Sequence, residues 1–363
     1  MTGAAPHHVL MTADAVGGVW QYACDLSAAL VAEGVAVTLA VLGPAPSSGQ
    51  SALADGPNVR LVETGLPLDW LASDEVEIRH AAAAIRDLAV AVGADLVHLN
   101  SPSLACVRYP MPVLTVAHGC AGTWWDAVEG SDLPPVLGWL VRLNREGLHA
   151  ADAVAAPSAA HTQALARRYG VFANVIHNGR DLPAPVTDTT ASHAFTAGRL
   201  WDRAKGIALL DRAAPRTAVP VHAAGALAGP QGERIALAHL HHLGTLAATD
   251  MAAALAQRPI FVSPARFEPF GLSVLEAAAA GCPLVLSDIA TFRELWDGAA
   301  LFVPHDEAAL ADTIAALAAD PERRRARGDA AAERAQRYTV AAMAEGTLAL
   351  YRRLAAVPHE VAA

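Results

Sequence analysis

The sequence predicts a doubly wound α/β protein in two domains of similar size, and three observations carry that expectation. Short apolar runs alternate with amphipathic stretches of helical length from end to end. Several of these runs, such as Val35–Leu42 and Val113–Ala117, are almost wholly apolar, as parallel strands covered on both faces must be. The chain of 363 residues suits two domains at roughly 150 residues each.

In the first half, strands are expected at His8–Thr12, Val35–Leu42, Asn58–Val62, Asp95–Leu99, Val113–Ala117, Asp152–Ala156 and Ala173–His177. Helices are expected between them at Val19–Glu33, Asp74–Val92, Pro134–Ala150 and Ser158–Tyr169. The stretch Asp181–Ser192 (DLPAPVTDTTAS), with two prolines among Asp, Thr and Ser, breaks the alternation. It sets the expected division: a first domain over 1–181, a linker over 182–192 and a second domain over 193–339. In that second domain strands are expected near Ala194–Ala197, Val219–Ala223, His239–Leu243, Ile260–Ser263, Leu284–Ser287 and Ala300–Val303. Its helices are Ile207–Ala214, Thr249–Ala256, Leu272–Ala280, Thr291–Trp296, Glu307–Ala318 and Glu322–Tyr338, and a last helix, Val340–Leu354, has no strand after it.

Composition narrows the function. The formal net charge of −10 repels polyphosphate backbones, so nucleic acid is not an expected partner. Four cysteines without paired spacing read as thiols of a reducing compartment, neither a disulfide framework nor a zinc site. The N-terminus carries no Lys or Arg before Arg60, and no apolar run reaches the ~18 residues that span a bilayer. A cytoplasmic protein without a transmembrane segment is expected, with peripheral membrane contact left open.

In open α/β sheets ligands bind beyond the carboxyl ends of the strands, so the strand-to-helix loops come first. The richest is Ser263–Ala280 (SPARFEPFGLSVLEAAAA). Gly271 opens a helix whose first N–H groups, near Gly271, Leu272 and Ser273, suit a phosphate or sugar hydroxyls. Glu268 stands in the loop ahead, Phe270 beside the glycine, and Glu276 in the second helical turn. Two carboxylates on one corner suit a hydroxyl-rich ligand, because each accepts several hydrogen bonds. An ordinary acidic helix start would also favour glutamate, yet Pro-Phe-Gly between the two is not what capping requires.

These residues resemble the paired-glutamate motif of retaining GT-B glycosyltransferases, family 4 in particular. The matching pattern runs Glu268-Pro269-Phe270-Gly271-Leu272, Glu276-Ala277 and Gly281-Cys282-Pro283, and continues through Ser287-Asp288, Arg293-Glu294-Leu295, Asp297-Gly298 and Leu301-Phe302-Val303. Elsewhere, Ala197-Gly198-Arg199-Leu200 with Lys205-Gly206 resembles the family's diphosphate clamp. Gly17-Gly18-Val19 resembles its glycine loop, and His118-Gly119 resembles the histidine after the fifth strand. Asp152–Ser158 and Val175–Asp181 match as well.

The resemblance implies two Rossmann-like domains facing each other across a cleft, with the last helix, 340–363, packing back on the first domain. It implies a retaining hexosyltransferase that moves a sugar from a UDP- or GDP-linked donor to an acceptor hydroxyl. Glu268, His118, Arg199 and Lys205 would be catalytic. Gly17, Gly18, Arg199, Lys205, Phe270, Gly271, Leu272, Ser273 and Glu276 would bind the donor, with Glu276 on the ribose. Asn100, Trp124 and Trp125 are candidates for acceptor contact; packing would explain the tryptophans equally well. No Asp-x-Asp occurs, so no metal and no cofactor beyond the nucleotide-sugar co-substrate is expected.

Lys205 is the only lysine among 26 cationic side chains, which hints at a need for a compact ammonium. The family usually places three residues between Gly-Arg-Leu and the lysine, and here Trp201–Ala204 makes four, so Arg203 is the alternative clamp cation. Two other classes stay open: a sugar-nucleotide 2-epimerase on the same fold, and a non-catalytic binding protein derived from it. Donor base, sugar and acceptor are not legible.

Overall fold

The structure is a computed structural model, which describes residues 4–182 and 191–356. Most of the expected linker (183–190) and the end of the chain (357–363) lie outside the described residues. The chain divides into two units, Met1–Gly179 with Val340–Ala363, and Arg180–Thr339.

The first unit runs β1 (His8–Asp14), α1 (Gly18–Ala32), β2 (Ala36–Leu42), α2 (Ser48–Ala54), β3 (Val59–Glu63), α3 (Glu75–Ala91), β4 (Leu96–Leu99), β5 (Val113–Val116), α4 (Ala121–Val128), α5 (Gly138–Ala150), β6 (Ala153–Ala156), α6 (Ala159–Tyr169) and β7 (Asn174–Val175). Its seven strands form one parallel sheet in the order β3-β2-β1-β4-β5-β6-β7.

The second unit runs β8 (Ala194–Ala197), α7 (Ile207–Ala213), β9 (Val221–Ala224), β10 (His241–His242), α8 (Ala248–Ala256), β11 (Ile260–Ser263), α9 (Leu272–Ala279), β12 (Leu284–Ser287), α10 (Ala290–Trp296), β13 (Ala300–Val303), α11 (Glu307–Ala318) and α12 (Pro321–Ala335). Its sheet is also parallel, in the order β10-β9-β8-β11-β12-β13. The closing α13 (Val340–Ala355) belongs to the first unit.

Both sheets reverse strand order once, between β1 and β4 and between β8 and β11. At such a switch the two loops leave toward opposite faces, opening a crevice at the carboxyl ends of the strands. Alternation fills both faces of each sheet. Val9, Met11 and Ala13 of β1 pack with α1 and α13, burying Trp20, Leu26, Met343 and Tyr351, while Leu10 packs on the other face with Ile78 and Ile85 of α3. In the second unit Phe261 and Phe195 face α9 and α12, whereas Ile260 and Val262 face α7 and α11.

Helix starts differ in a way that matters for binding. Asp74, Ser158, Asp306 and Asp320 cap α3, α6, α11 and α12 with side-chain oxygens. By contrast α1 and α9, which follow the switch-point strands β1 and β11, start from Gly17 and Gly271, with no side-chain cap and no acidic residue in the first turn.

The sequence pattern misses α2 and α4, both short and interrupted by glycine, although Ser47 and Gln50 form a reciprocal cap on α2. The expected helix at Pro134 starts instead with a separate tight turn, Pro135–Leu137. Strands β7 and β10 are only two residues long. Each is an edge strand with a neighbour on one side, so the ladder does not extend their apolar pattern.

Candidate active site

In the second unit the clamp and the paired-glutamate loop are brought together at the β8/β11 switch. After β8, Asp202 turns the chain: its carboxylate accepts the Ala204 N–H at 3.0 Å and pairs with Arg199 at 2.9 Å. The following turn, Arg203–Lys205, is stitched to the loop after β11 because the Arg266 N–H donates to the Ala204 carbonyl at 2.7 Å. Gly206 makes this approach possible. It sits at φ +67, and a Cβ there would run into the Pro264 carbonyl.

The turn delivers Lys205 Nζ to Glu268 Oε2 at 2.5 Å, with both side chains largely buried. Arg203, the alternative clamp cation, is exposed. The residue that lengthens this loop therefore leaves the lysine facing the motif glutamate.

Gly271 adopts φ +94, a left-handed conformation that a side chain would strain, and a Cβ would press on Glu268. Val274 and Leu275 N–H groups bond back to the Gly271 carbonyl, which leaves the Leu272 and Ser273 N–H groups as the open start of α9. Glu276, one turn on, accepts from Arg180 Nε at 3.1 Å. The Phe270 ring is turned away, 2% exposed and edge-on to Tyr338 at 5.6 Å. Expected from the sequence at the donor site, Phe270 has its ring in the core, so any donor contact there falls to its backbone. Farther along the same edge, Arg293 makes a two-pronged pair with Asp288 at 2.6 and 2.8 Å and lies 4.2 Å over Phe302. The downstream motif residues thus brace the end of β12.

The first unit gathers a different set at the β1/β4 switch. Gly17 begins α1 in an extended conformation, followed by Gly18. Asn100, just past β4, is fixed by two bonds: its N–H donates to Thr12 Oγ1 at 2.9 Å, and its Nδ2 donates to the Thr12 carbonyl at 2.6 Å. A carbonyl can only accept, so Oδ1 is the atom that faces His118 Nε2 at 2.9 Å, and the imidazole carries its proton there. His118 therefore presents Nδ1 as an acceptor. Burial, helped by His98 and His161, lowers its pKa to about 3, so the ring is neutral.

Behind His118 lies a network that sequence reasoning did not find. Tyr22 of α1 meets the His118 ring edge-on, with centroids 4.4 Å apart. Its hydroxyl lies 3.4 Å from His98 Nε2, and His98 Nδ1 lies 2.6 Å from the Tyr351 hydroxyl of α13. The closing helix is thereby tied to the strand end that carries Asn100. Trp124 and Trp125 sit half-buried on α4 with centroids 6.3 Å apart, and the Trp125 indole N–H donates to the Ser131 carbonyl at 3.0 Å. Asp202 and Arg180 were also missed. A capping Asp before a tight turn is a readable signal, whereas nothing local announces the partner of Arg180.

Two parallel sheets of this order are those of the GT-B fold, and comparison with known proteins places the chain among glycosyltransferases. Residues 16–183 match the family model described as Glycosyltransferase Family 4, and residues 191–320 match that of Glycosyl transferases group 1. The α-maltose-1-phosphate synthase of Mycolicibacterium smegmatis is 30% identical over 351 residues, covering 80% of this chain and 90% of that protein. Among solved structures, the sucrose-phosphate synthase of Thermosynechococcus elongatus superposes with a TM-score of 0.76 at 21% identity, covering 96% of this chain and 99% of that one. Anabaena HepE in complex with UDP-glucose superposes with a TM-score of 0.70 at 20% identity, covering 94% and 98%. The chain belongs to glycosyltransferase family 4. Among the described residues no helix is long and apolar enough to cross a membrane.

Proposed function

We propose that this glycosyltransferase moves a hexose-type sugar from a UDP- or GDP-linked donor to an acceptor hydroxyl, with retention and without a metal ion, in the cytoplasm. The observation that carries this reading is the pairing of Lys205 with Glu268 beside the open start of α9. The diphosphate would lie against Arg199, Lys205 and the Leu272 and Ser273 N–H groups, which stabilise the charge that develops as the glycosidic bond breaks. Glu276 would accept hydrogen bonds from the ribose. The UDP-glucose-bound neighbour supports a nucleotide-sugar donor.

Glu268 is better suited to orienting the sugar than to attacking it, because a carboxylate held by an ammonium is a weakened nucleophile. The transition state then resembles an oxocarbenium ion, and the departing phosphate takes the acceptor proton on the same face. In the first unit, the acceptor side, neutral His118 would take a hydrogen bond from a sugar hydroxyl at Nδ1, with Asn100 holding the ring.

A thermal-shift screen of UDP, GDP, ADP and their sugar conjugates tests the reading. A specific ligand raises the melting temperature progressively with its excess over Kd. A rise with one nucleotide and its sugar conjugate is the expected result; no shift with any of them at millimolar concentration contradicts the reading.

A further inference from the structure

Arg180 is the first residue of the second unit, where the chain enters it, and Tyr338 stands just before the chain leaves at Thr339. These two points are fastened together, because the Arg180 N–H donates to the Tyr338 carbonyl at 3.0 Å. Both also reach the same binding elements. The Arg180 guanidinium holds Glu276 of α9 at 3.1 Å, and the Tyr338 ring packs edge-on against Phe270 in the loop before that helix. Tyr338 is itself anchored, its hydroxyl donating to the Leu295 carbonyl at 3.1 Å and its ring lying 5.7 Å from Trp296.

The pair is sheltered, with 15% of the Arg180 side chain and 22% of Glu276 exposed. It joins two other cation–carboxylate pairs in the loops already described. Arg199 faces Asp202, Lys205 faces Glu268, and Arg180 faces Glu276. An unpaired Glu276 would repel an incoming diphosphate and would be free to turn about its side-chain bonds. Paired with Arg180 Nε at 3.1 Å, its charge is offset and its orientation restrained.

We propose that Arg180 is a positioning residue for nucleotide recognition: it orients the Glu276 carboxylate toward the ribose hydroxyls and ties that orientation to the chain crossing. The proposal rests on the reading that Glu276 binds ribose. Arg180 itself need not touch the nucleotide; its effect passes through one carboxylate.

Calorimetry with UDP, GDP and ADP, each set against its 2′,3′-dideoxy counterpart, tests this on the intact protein. Wild type favours the ribose form. Arg180→Met, which keeps the bulk of the stem but removes the charge, should weaken ribonucleotide binding about tenfold and erase the preference over the dideoxy form. Glu276→Gln should do the same, and the double variant should be no worse than either single one. Arg180→Lys restores a charge without the Nε geometry and should recover part of the preference, which also serves should the Met variant fail to fold. Arg203→Ala, on the exposed surface, controls for loss of positive charge and should keep it in full. If Arg180→Met and Arg180→Lys keep the full preference while Glu276→Gln loses it, the proposal is wrong and the ribose reading stands. If Glu276→Gln keeps it too, the ribose reading falls and this inference with it.

Discussion

The two units give their polar site residues different partners. In the first, buried His98 and half-buried His118 lie among Tyr22, Asn100 and Tyr351, and desolvation pushes both imidazoles down to a pKa of about 3. In the second, Arg180 and Lys205 are sheltered, Arg199 is more open, and each faces a carboxylate: Glu276, Glu268 and Asp202. The difference shows what burial does to an ionisable group. Left with neutral partners it loses its charge; given an opposite charge it keeps it. Under the proposed function, the surface that meets a diphosphate would use the second solution, and the one that orients hydroxyls the first.

The largest effect is expected where charge moves during reaction. Lys205→Ala should lower turnover at saturating donor by ~10²–10³, with a smaller loss in donor affinity, because the cation gains strength as the leaving group develops charge. Lys205→Arg should recover only part, since a planar fork does not reproduce a compact ammonium. Arg203→Ala, on an exposed side chain, should leave turnover almost unchanged. A damaging Arg203→Ala with a harmless Lys205→Ala would reverse the assignment.

A second expected effect reads the buried imidazoles of the first unit by pH. His98 and His161 are both buried, with pKa values lowered to about 3 and about 4. Below their ordinary value of about 6.5 the unfolded chain takes up protons that the folded chain refuses, so stability falls as pH drops from there toward 4 and is level above. The slope approaches ~1.4 kcal/mol per pH unit for each such histidine. Hydrogen exchange followed by mass spectrometry should show peptides of the first unit losing protection as the pH is lowered from 6.5. Protection in that unit that is flat down to pH 4.5 would break the comparison.

How legible all this is in the sequence depends on distance along the chain. Strand β1 is plain because its residues alternate between two buried faces, and α9 because Pro-Phe-Gly marks its start. Arg199, Lys205, Glu268 and Glu276 stand out because each lies in a short motif with fixed spacing. The network behind His118 does not, since His98 and Tyr351 are 253 residues apart, and neither does Arg180 with Glu276, 96 residues apart. Their types fit many settings, and only the fold pairs them. Phe270 shows the converse: within one motif the sequence does not tell which residue turns its side chain into the core.

The central claim is that side chains and the α9 N-terminus of the second unit carry the charge of the leaving diphosphate, in place of a metal ion. Release of nucleoside diphosphate from the donor that gives the thermal shift, measured before and after dialysis against EDTA and again with magnesium or manganese, tests it most directly. The account predicts the same rate in all three conditions. A rate abolished by EDTA and restored by either metal would contradict it.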